Sequence, residues 1–331
     1  MDRPTMEDVA ARAGVSRALV SLVMRGSPKV SEHRRAAVLL AADELGYSPH
    51  AMARSLASRT SHFVGVMVSD LHNAFWAEVV DGLDAYARDQ GFELVINTGG
   101  RRAGRERQAL ASLLSFRPAG IALLGPVVPA TAIAVAASQA PLVLVSRSSR
   151  LSTVDTVNDD GQSGSALAVD HLVSLGHTDI VHIDGGGGSQ AAPRRTGYLA
   201  AMRRHGLSAK VIRSEYTDAA GAKAIRELLS DRIPTAVVAA NDYNAIGAIS
   251  ALEEAGLRVP ADVSVVGYDN TSLAALRHVS LTTVDQPRTE MGRLAAEALI
   301  QRVREERSHP VRHLLRPALV VRTTTAPPRP G

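Results

Sequence analysis

The segment from residue 4 to residue 56 reads PTMEDVAARAGVSRALVSLVMRGSPKVSEHRRAAVLLAADELGYSPHAMARSL, and it decides how the rest of the chain is interpreted. Thr5 and Asp8 have the spacing of a capping box, in which two side chains bond each other's backbone amides at a helix start. Gly14 is the residue type that enters a left-handed turn most easily. The pattern predicts two short helices separated by a tight turn.

The second of these helices is predicted to have one buried and one exposed face. Ser16 can cap it, and Val20 with Val23 or Met24 has the three-to-four-residue spacing of a buried stripe. The opposite face carries Arg17, Ala18, Ser21, Leu22 and Arg25. A helix-turn-helix unit presents such a helix to the major groove of DNA. An ordinary pair of surface helices would show the same pattern, so this segment alone leaves both interpretations open.

Two further helices are predicted before residue 60. Ser31 can cap the first of them and Gly46 can end it. Its apolar face is formed by Val38, Ala41, Ala42 and Leu45. Ser48 and Pro49 then open a segment of about two turns, and isolated helices of that length are marginal in water. A helix that forms only on its partner would account for this segment.

The motifs EDVAARAGVS, KVSEHRR with LGYSP, and AMARSL resemble the headpiece and hinge of the LacI family of bacterial transcriptional regulators. Similar motifs continue through VNDDGQSG, RRTGY, TAVVAANDYNAIGA and VSVVGYDN, so the resemblance covers residues from about 4 to 325. It implies a helix-turn-helix headpiece at 1–48, a hinge helix or linker at 49–61, and an effector-binding core at 62–325. The expected fold is therefore an all-α headpiece followed by a two-lobed, periplasmic-binding-protein-like α/β core.

Short apolar runs such as FVGVMV, GIALLG and TAVVAA alternate with helical stretches beyond residue 62, which is typical of parallel sheets covered on both faces. Two such blocks in series suggest two similar lobes. The resemblance implies three crossings between them, near 158–162, 284–288 and 312–316. It assigns about 62–160 and 288–312 to the N-lobe, and about 161–287 and 313–325 to the C-lobe. The tail at 326–331 is expected to be disordered.

Composition limits the class of protein. The 331 residues suggest two or three domains, and the absence of cysteine excludes disulfides and thiolate metal sites. The charged N-terminus is unlike a signal peptide, and no uncharged apolar run is long enough to span a membrane. We therefore expect a cytoplasmic protein without membrane contact, associated with the nucleoid when bound to DNA. Residues 1–60 hold nine Lys and Arg against six Asp and Glu, so +3 of the net charge of +4 lies there. That excess suits phosphate contact but is also common on solvated surfaces.

Polar residues follow the predicted strands, where ligands of open parallel sheets collect. They are Asp70, Thr98, Ser146, Arg147, Asp184, Tyr216, Asn241, Asp242, Asp269 and Asn270. Two lobes bringing such edges together would form a cleft suited to a sugar or a nucleoside-like ligand. Phe75 and Trp76 offer flat rings for stacking, with a core position as the alternative.

The resemblance also implies roles for particular residues. Arg194 in RRTGY matches the family's ligand-binding arginine, Asp269 in GYDN matches its ligand carboxylate, and Asn241 with Asp242 match a polar pair of the pocket wall. A buried arginine opposite carboxylates can hold ligand hydroxyls by charge-assisted hydrogen bonds. Alternatively, Arg194 and Asp269 only brace the cleft. The predicted effector-binding set is Asp70, Phe75, Trp76, Arg147, Arg194, Tyr216, Asn241, Asp242 and Asp269.

For the DNA side, the resemblance implies a dimer on a roughly palindromic operator, with Leu56 inserted into the minor groove. The alternative for Leu56 is a helix-packing contact within its own chain. Arg17 is predicted to read guanine and Leu22 to touch a thymine methyl, because this helix departs from the family's commonest pattern. The predicted DNA-binding set is Thr5, Ser16, Arg17, Ala18, Ser21, Leu22, Arg25, Ser31, His50, Ala53, Arg54 and Leu56.

The sequence contains little support for a phosphate-binding, catalytic or metal-binding motif. The glycines at 185–188 follow a strand, but GxGxxG would need glycine where Gln190 stands. No phosphate-binding GxxxxGK[ST], GxSxG or HExxH occurs, and His177 with His182 have poor spacing for a metal. We expect no cofactor, no metal and no enzymatic activity. The predicted function is a ligand-controlled transcriptional repressor. The alternatives are an enzyme of sugar or nucleotide metabolism and a solute-capture protein, which would use the same cleft.

Overall fold

A computed structural model describes residues 4–24, 27–47 and 61–329, and the chain divides into two compact units, Met1–His62 and Phe63–Gly331. Each unit is described by itself. Within the described residues, no helix is both long and apolar enough to cross a membrane. The predicted contacts at Arg25, His50, Ala53, Arg54 and Leu56 lie outside the described residues, as does most of the predicted hinge.

The first unit contains helices α1 (Met6–Ala13), α2 (Arg17–Met24) and α3 (Glu32–Glu44). The Thr5–Asp8 capping box is present, and Gly14 ends α1 with a φ of 63°. The Ser16 hydroxyl accepts the Leu19 amide, so its predicted capping role is confirmed. Ser31 stands at the start of α3 without a side-chain capping bond, which corrects that detail. The unit's core contains the valines and alanines predicted to face inward, namely Val20, Val23, Val38, Ala41 and Ala42.

The second unit alternates strands and helices. Its strands are β1 (Phe63–Val68), β2 (Glu93–Thr98), β3 (Gly120–Leu124), β4 (Leu142–Val145), β5 (Val154–Asp159), β6 (Ile180–Ile183), β7 (Lys210–Ile212), β8 (Ala236–Ala239), β9 (Ser264–Asp269), β10 (Thr282–Asp285), β11 (Arg312–Leu315) and β12 (Ala318–Val320). Its helices are α4 (Ala74–Asp89), α5 (Ala103–Ser115), α6 (Ala130–Ala137), α7 (Gly161–Ser174), α8 (Ala191–Arg204), α9 (Asp218–Leu229), α10 (Asp242–Glu254) and α11 (Arg288–Val303).

The strands form two six-stranded sheets, with the orders β11-β5-β4-β3-β1-β2 and β12-β10-β9-β8-β6-β7. Their central strands are completely buried because helices cover both faces, as the continuous apolar runs predict. The chain crosses between the sheets after β5, after β10 and after β11. The third crossing therefore follows residue 315, so the whole of β11 belongs to the N-lobe, slightly beyond the predicted boundary.

Two expectations about the last part of the chain need correction. β12 pairs antiparallel with β10, so the second sheet is not entirely parallel. Residues 326–329, expected to be disordered, follow the C-lobe surface, where the Ala326 carbonyl accepts hydrogen bonds from His177 and from the Ser264 hydroxyl. The described part of the tail thus has hydrogen-bond partners on the C-lobe, and residues 330–331 lie outside the described residues.

Candidate functional site

A cavity of about 500 Å³, including its opening to solvent, lies where the carboxyl ends of both sheets meet. Its lining is Ser69, Asp70, Asn73, Phe75, Trp76, Arg101, Gly125, Val127, Ser146, Gly188, Ser189, Gln190, Arg194, Tyr216, Asn241 and Asp269. The structure thus brings seven of the nine predicted effector residues together.

Arg194 is the buried cation of the cavity. α8 places it in its first turn, where the guanidinium lies 3.7 Å from the centre of the Tyr268 ring and donates to the Ala240 carbonyl at 2.7 Å. Its Nη2 lies 3.5 Å from the Asp269 carboxylate. Burial alone would lower the pKa of Arg194, but Tyr216, Asp269 and Asp159 outweigh it and raise that pKa. A permanently charged donor therefore faces the ligand space.

Asp269 ends β9 with a φ of 118°, an unfavourable conformation for a residue with a Cβ. Gln286 donates to its carboxylate at 2.6 Å. Burial and the neighbouring Asp242 and Asp159 raise the pKa of Asp269, although Arg194 acts in the opposite direction. This carboxyl group therefore holds its proton to a higher pH than a solvated aspartate does.

The aromatic wall consists of Phe75 and Trp76 at the start of α4. Their rings meet edge to face, with centroids 4.7 Å apart. Both side chains are more than nine-tenths buried and belong to the N-lobe core, yet both line the cavity. The two alternatives for these residues are thus not exclusive. Gly125 packs against the Trp76 ring so closely that a Cβ there would lie 2.4 Å from it.

A second ion pair, between Asp70 and Arg101, lines the N-lobe side of the cavity with Arg101 Nε 3.4 Å from Asp70 Oδ2. Arg101, Asn73 and Gln190 also line the cavity but were not among the predicted effector residues. Arg101 follows β2 by three residues in the run TGGRR, so its position past a strand was the available signal. The cavity lining thus contains two arginines and two aspartates.

Several polar atoms of the lining have no hydrogen-bond partner among the residues that the structure describes. They are Ser146 Oγ, Arg194 Nε and Asn241 Nδ2, all deeply buried. Unsatisfied buried polar atoms are costly, so a cluster of them in one cavity indicates a ligand with hydroxyl or carbonyl groups. Strained backbone marks the same place, because Arg101, Ser146, Gln190 and Asp269 all have positive φ.

Two predicted effector residues do not line the cavity. The Arg147 guanidinium instead donates to the carbonyls of Pro126 and Val128, while the buried Glu106 carboxylate accepts the amides of Val127 and Val128. Burial lowers the pKa of Arg147 and raises that of Glu106. Arg147 therefore acts one step from the cavity, by holding the loop that contributes Val127 to the wall.

Asp242 is the other predicted effector residue that does not line the cavity. Its carboxylate accepts hydrogen bonds from the Thr271 amide and from the hydroxyls of Thr271 and Thr283, so it braces the C-lobe below Asp269. Burial raises the pKa of Asp242 to about 6. Its neighbour Asn241 caps α10 with its Oδ1 and also lines the cavity.

The glycine run at 185–188 serves packing. A Cβ on Gly185 or Gly188 would lie 2.3 to 2.4 Å from the Tyr216 ring, so these glycines let the tyrosine reach the cavity. The Tyr216 hydroxyl donates to the Ser189 carbonyl at 2.9 Å, and burial raises its pKa. Among the described residues, no group of three His, Asp or Glu side chains is placed to hold a metal ion.

The predicted DNA contacts on α2 differ in exposure. Arg17 and Ala18 are exposed, whereas Ser21 and Leu22 are half-buried, and Leu22 packs against the headpiece core. Arg17 Nε lies 3.0 Å from the Glu7 carboxylate on α1. Thr5, Ser16 and Ser31 stand at the helix starts, where backbone amides face outward.

Comparison with known proteins gives matches over both units. Residues 5–50 match the family described as bacterial regulatory proteins, lacI family, and residues 169–325 match the periplasmic binding protein-like domain. The HTH-type transcriptional repressor PurR of Vibrio campbellii is 34% identical, over 97% of this chain and 98% of that protein. The ribose operon repressor of Escherichia coli is 36% identical, over 96% and 98%.

Solved structures agree with these matches. The crystal structure of the lac repressor dimer bound to operator and the anti-inducer ONPF aligns with a TM-score of 0.84 at 30% identity. The alignment covers 98% of this chain and 100% of that chain. The similarity therefore extends through the helix-turn-helix segment and the two-sheet core together.

Proposed function

Because the chain belongs to the LacI family of bacterial transcriptional regulators, we propose that a small polar ligand in the cavity controls its affinity for operator DNA. The chain is a DNA-binding transcriptional regulator, and the relatives named above are repressors. We assign it the same repressing role, as a homodimer on a roughly palindromic operator in the cytoplasm, at the nucleoid when bound. Two-fold symmetry of the protein then matches two-fold symmetry of the site.

The observation that carries the ligand proposal is the buried pair of Arg194 and Asp269, surrounded by unsatisfied donors of Ser146 and Asn241. Sugar hydroxyls both donate and accept, so they can satisfy a carboxylate and a guanidinium at once. The donors and acceptors of the cavity suit a polar sugar or nucleoside. The similarity to the ribose operon repressor supports a monosaccharide.

In the proposed mechanism, ligand in the cavity changes the angle between the lobes, because its contacts come from both sheets. The segment that connects the core to the headpiece transmits this change to the two DNA-binding units. The coupling is reciprocal, so a ligand that lowers DNA affinity must bind more weakly to the DNA-bound protein. Arg17, Ala18, Ser21 and Leu22 on α2 are the proposed readers of the major groove.

A two-stage experiment on the full chain tests this function. A thermal-shift screen of sugars, nucleosides and purines identifies ligands, since a ligand at a hundred times its Kd stabilises by about 2.7 kcal/mol. Each hit is then added to the protein bound to a duplex selected from a randomised pool. We expect an affinity change of about fivefold or more. A hit whose binding left DNA affinity unchanged would reject the coupling, and chemical conversion of the hit would indicate an enzyme.

A further inference from the structure

The ion pair between Glu7 and Arg17 is placed where the headpiece is proposed to meet DNA. Glu7 lies in the first turn of α1 and Arg17 is the first residue of α2. Arg17 Nε and Glu7 Oε1 are 3.0 Å apart, with the side chains 68% and 60% exposed. Packing of α1 on α2 through Val9 and Val20 fixes the distance between the two backbones.

The ion pair between Glu7 and Arg17 contributes little to the stability of the fold. Exposed ion pairs contribute little, because water screens them and two flexible side chains must be ordered. A carboxylate on a DNA-binding face also repels phosphate and lowers affinity for every sequence. Glu7 is therefore unfavourable for affinity, and its contributions to folding, through this pair and through its place in the first turn of α1, are small.

A further effect of Glu7 is on the orientation of the Arg17 guanidinium. A free, exposed arginine can turn to the nearest phosphate, where it carries no sequence information. Glu7 occupies Nε and repels phosphate, so Arg17 is held away from the DNA backbone. Glu7 is a partner of Nε, and the two parallel N–H groups that an arginine presents match O6 and N7 of guanine.

We propose that Glu7 is a specificity-determining residue that acts through Arg17, holding its guanidinium in the orientation that reads guanine. The inference rests on the proposed function, since it requires that Arg17 enter the major groove. It predicts that Glu7 lowers affinity for all sequences and lowers it least where guanine faces Arg17. The Glu7 carboxylate thus increases the preference for guanine over other bases and lowers the affinity for DNA of every sequence.

The test uses the full chain and the tightest duplex from a randomised pool, together with duplexes in which each base pair is changed singly. For Glu7→Gln we expect the preference for guanine at one position of each half-site to fall by about threefold to tenfold. Affinity for the changed duplexes should rise at low salt, because one repelling charge is gone. Introducing Glu7→Gln into an Arg17→Ala protein should leave the remaining base preferences unchanged.

Glu44→Gln is the matched control. It removes one negative charge from the same headpiece and breaks another exposed ion pair, Arg12–Glu44, at 2.6 Å. We expect it to leave the preference for guanine intact. Should Glu7→Gln raise affinity equally for all duplexes, Glu7 would be a general repelling charge and the inference would be overturned. Wild-type protein that preferred no duplex would instead reject the proposed function.

Discussion

The guanidinium of Arg288 lies 2.6 Å from the carboxylate of Glu78, measured from Nε to Oε2. Its Nη1 donates to the Asp285 carboxylate at 3.0 Å and to the Asp269 carbonyl. Glu78 belongs to α4, which packs on the first sheet, whereas Asp269 and Asp285 end strands of the second. One side chain therefore joins the two lobes immediately behind a residue of the cavity lining.

Replacing Glu78 by Gln should alter the response to ligand. The charge-assisted bond to Arg288 is partly shielded from solvent, so its loss should change the preferred lobe arrangement by about 1 kcal/mol. We expect the ratio of DNA affinities with and without sugar to change by about fivefold, measured by fluorescence anisotropy. Glu290→Gln, which breaks an ion pair with Arg293 on the same α11, should leave the ratio unchanged. An unaltered ratio for Glu78→Gln would show that Arg288 does not couple the lobes.

Replacing Arg194 by Lys should lower sugar affinity by about tenfold or more. Lysine keeps the charge but loses the planar fork, the contact with the Tyr268 ring and the Nε donor. Isothermal titration calorimetry would measure the change. Arg195→Lys is the control, because the adjacent Arg195 pairs with Asp184 and does not line the cavity. Equal affinity in wild type and Arg194→Lys would mean that Arg194 only braces the cleft.

Trp76 is the chain's single tryptophan and lines the cavity, so it should report ligand binding directly. Sugar titration should change its fluorescence emission, with the Trp76→Phe protein as the blank. Trp76→Leu should lower sugar affinity by about fivefold, because stacking on the ring contributes about 1 kcal/mol. Phe92→Leu, a change elsewhere in the same core, controls for loosened packing. Calorimetric binding without any change in emission would exclude a ligand beside Trp76.

Replacing Asp155 by Asn should destabilise the core unit by about 3–5 kcal/mol, because it leaves two arginines without their buried partner. Asp155 is fully buried and accepts hydrogen bonds from Arg302 and Arg307 at 2.8 to 3.3 Å. Urea unfolding would measure the loss. The control is Asp170→Asn, since Asp170 also pairs with two side chains, Arg204 and His205, but in an exposed position. A loss no larger than that of the control would contradict a structural role for the buried cluster.

The same residue predicts part of the acid sensitivity of the fold. Burial alone would raise the pKa of Asp155, but hydrogen bonds from Arg307 and Arg302 lower it overall. A carboxylate whose pKa falls on folding stabilises the protein above its unfolded pKa of about 3.9. That contribution is lost as the pH falls through the lower, folded value. The difference in stability between wild type and Asp155→Asn should therefore shrink below about pH 4.

Leu56→Ala should weaken operator binding and leave sugar affinity unchanged, since we propose that this side chain inserts into the minor groove. A lost wedge reduces the kink and the contacts that the kink permits, which corresponds to about tenfold or more in affinity. Gel shift on the selected duplex and calorimetry on the sugar would separate the two effects. Undiminished operator affinity would exclude the wedge.

The features that the sequence predicted correctly are local ones. The capping box at Thr5 and Asp8, the left-handed Gly14 and the buried strand at 63–68 depend on neighbouring residues only. The motifs that resemble the LacI family led to Arg194 and Asp269, which line the cavity as predicted.

The predictions differ from the structure where the path of a loop decides whether a side chain lines the cavity. Arg147 and Arg101 both follow strands. The Arg147 guanidinium donates to nearby backbone carbonyls, whereas Arg101, whose own φ is positive, lines the cavity. Such loop geometry depends on contacts between distant segments, as the loop at 126–128 illustrates. The antiparallel β12 was missed for a similar reason, because three residues on a sheet edge carry almost no periodic signal.

The stretch 312–320 supplies the edge strand beside β5 in one sheet and the edge strand beside β10 in the other. During translation both lobes therefore remain unfinished until this late stretch has been synthesised. In the interval, β5 and β10 each expose an unpaired backbone edge, the kind of surface through which nascent chains aggregate. A premature stop codon shortly before residue 312 would thus damage both halves of the core at once.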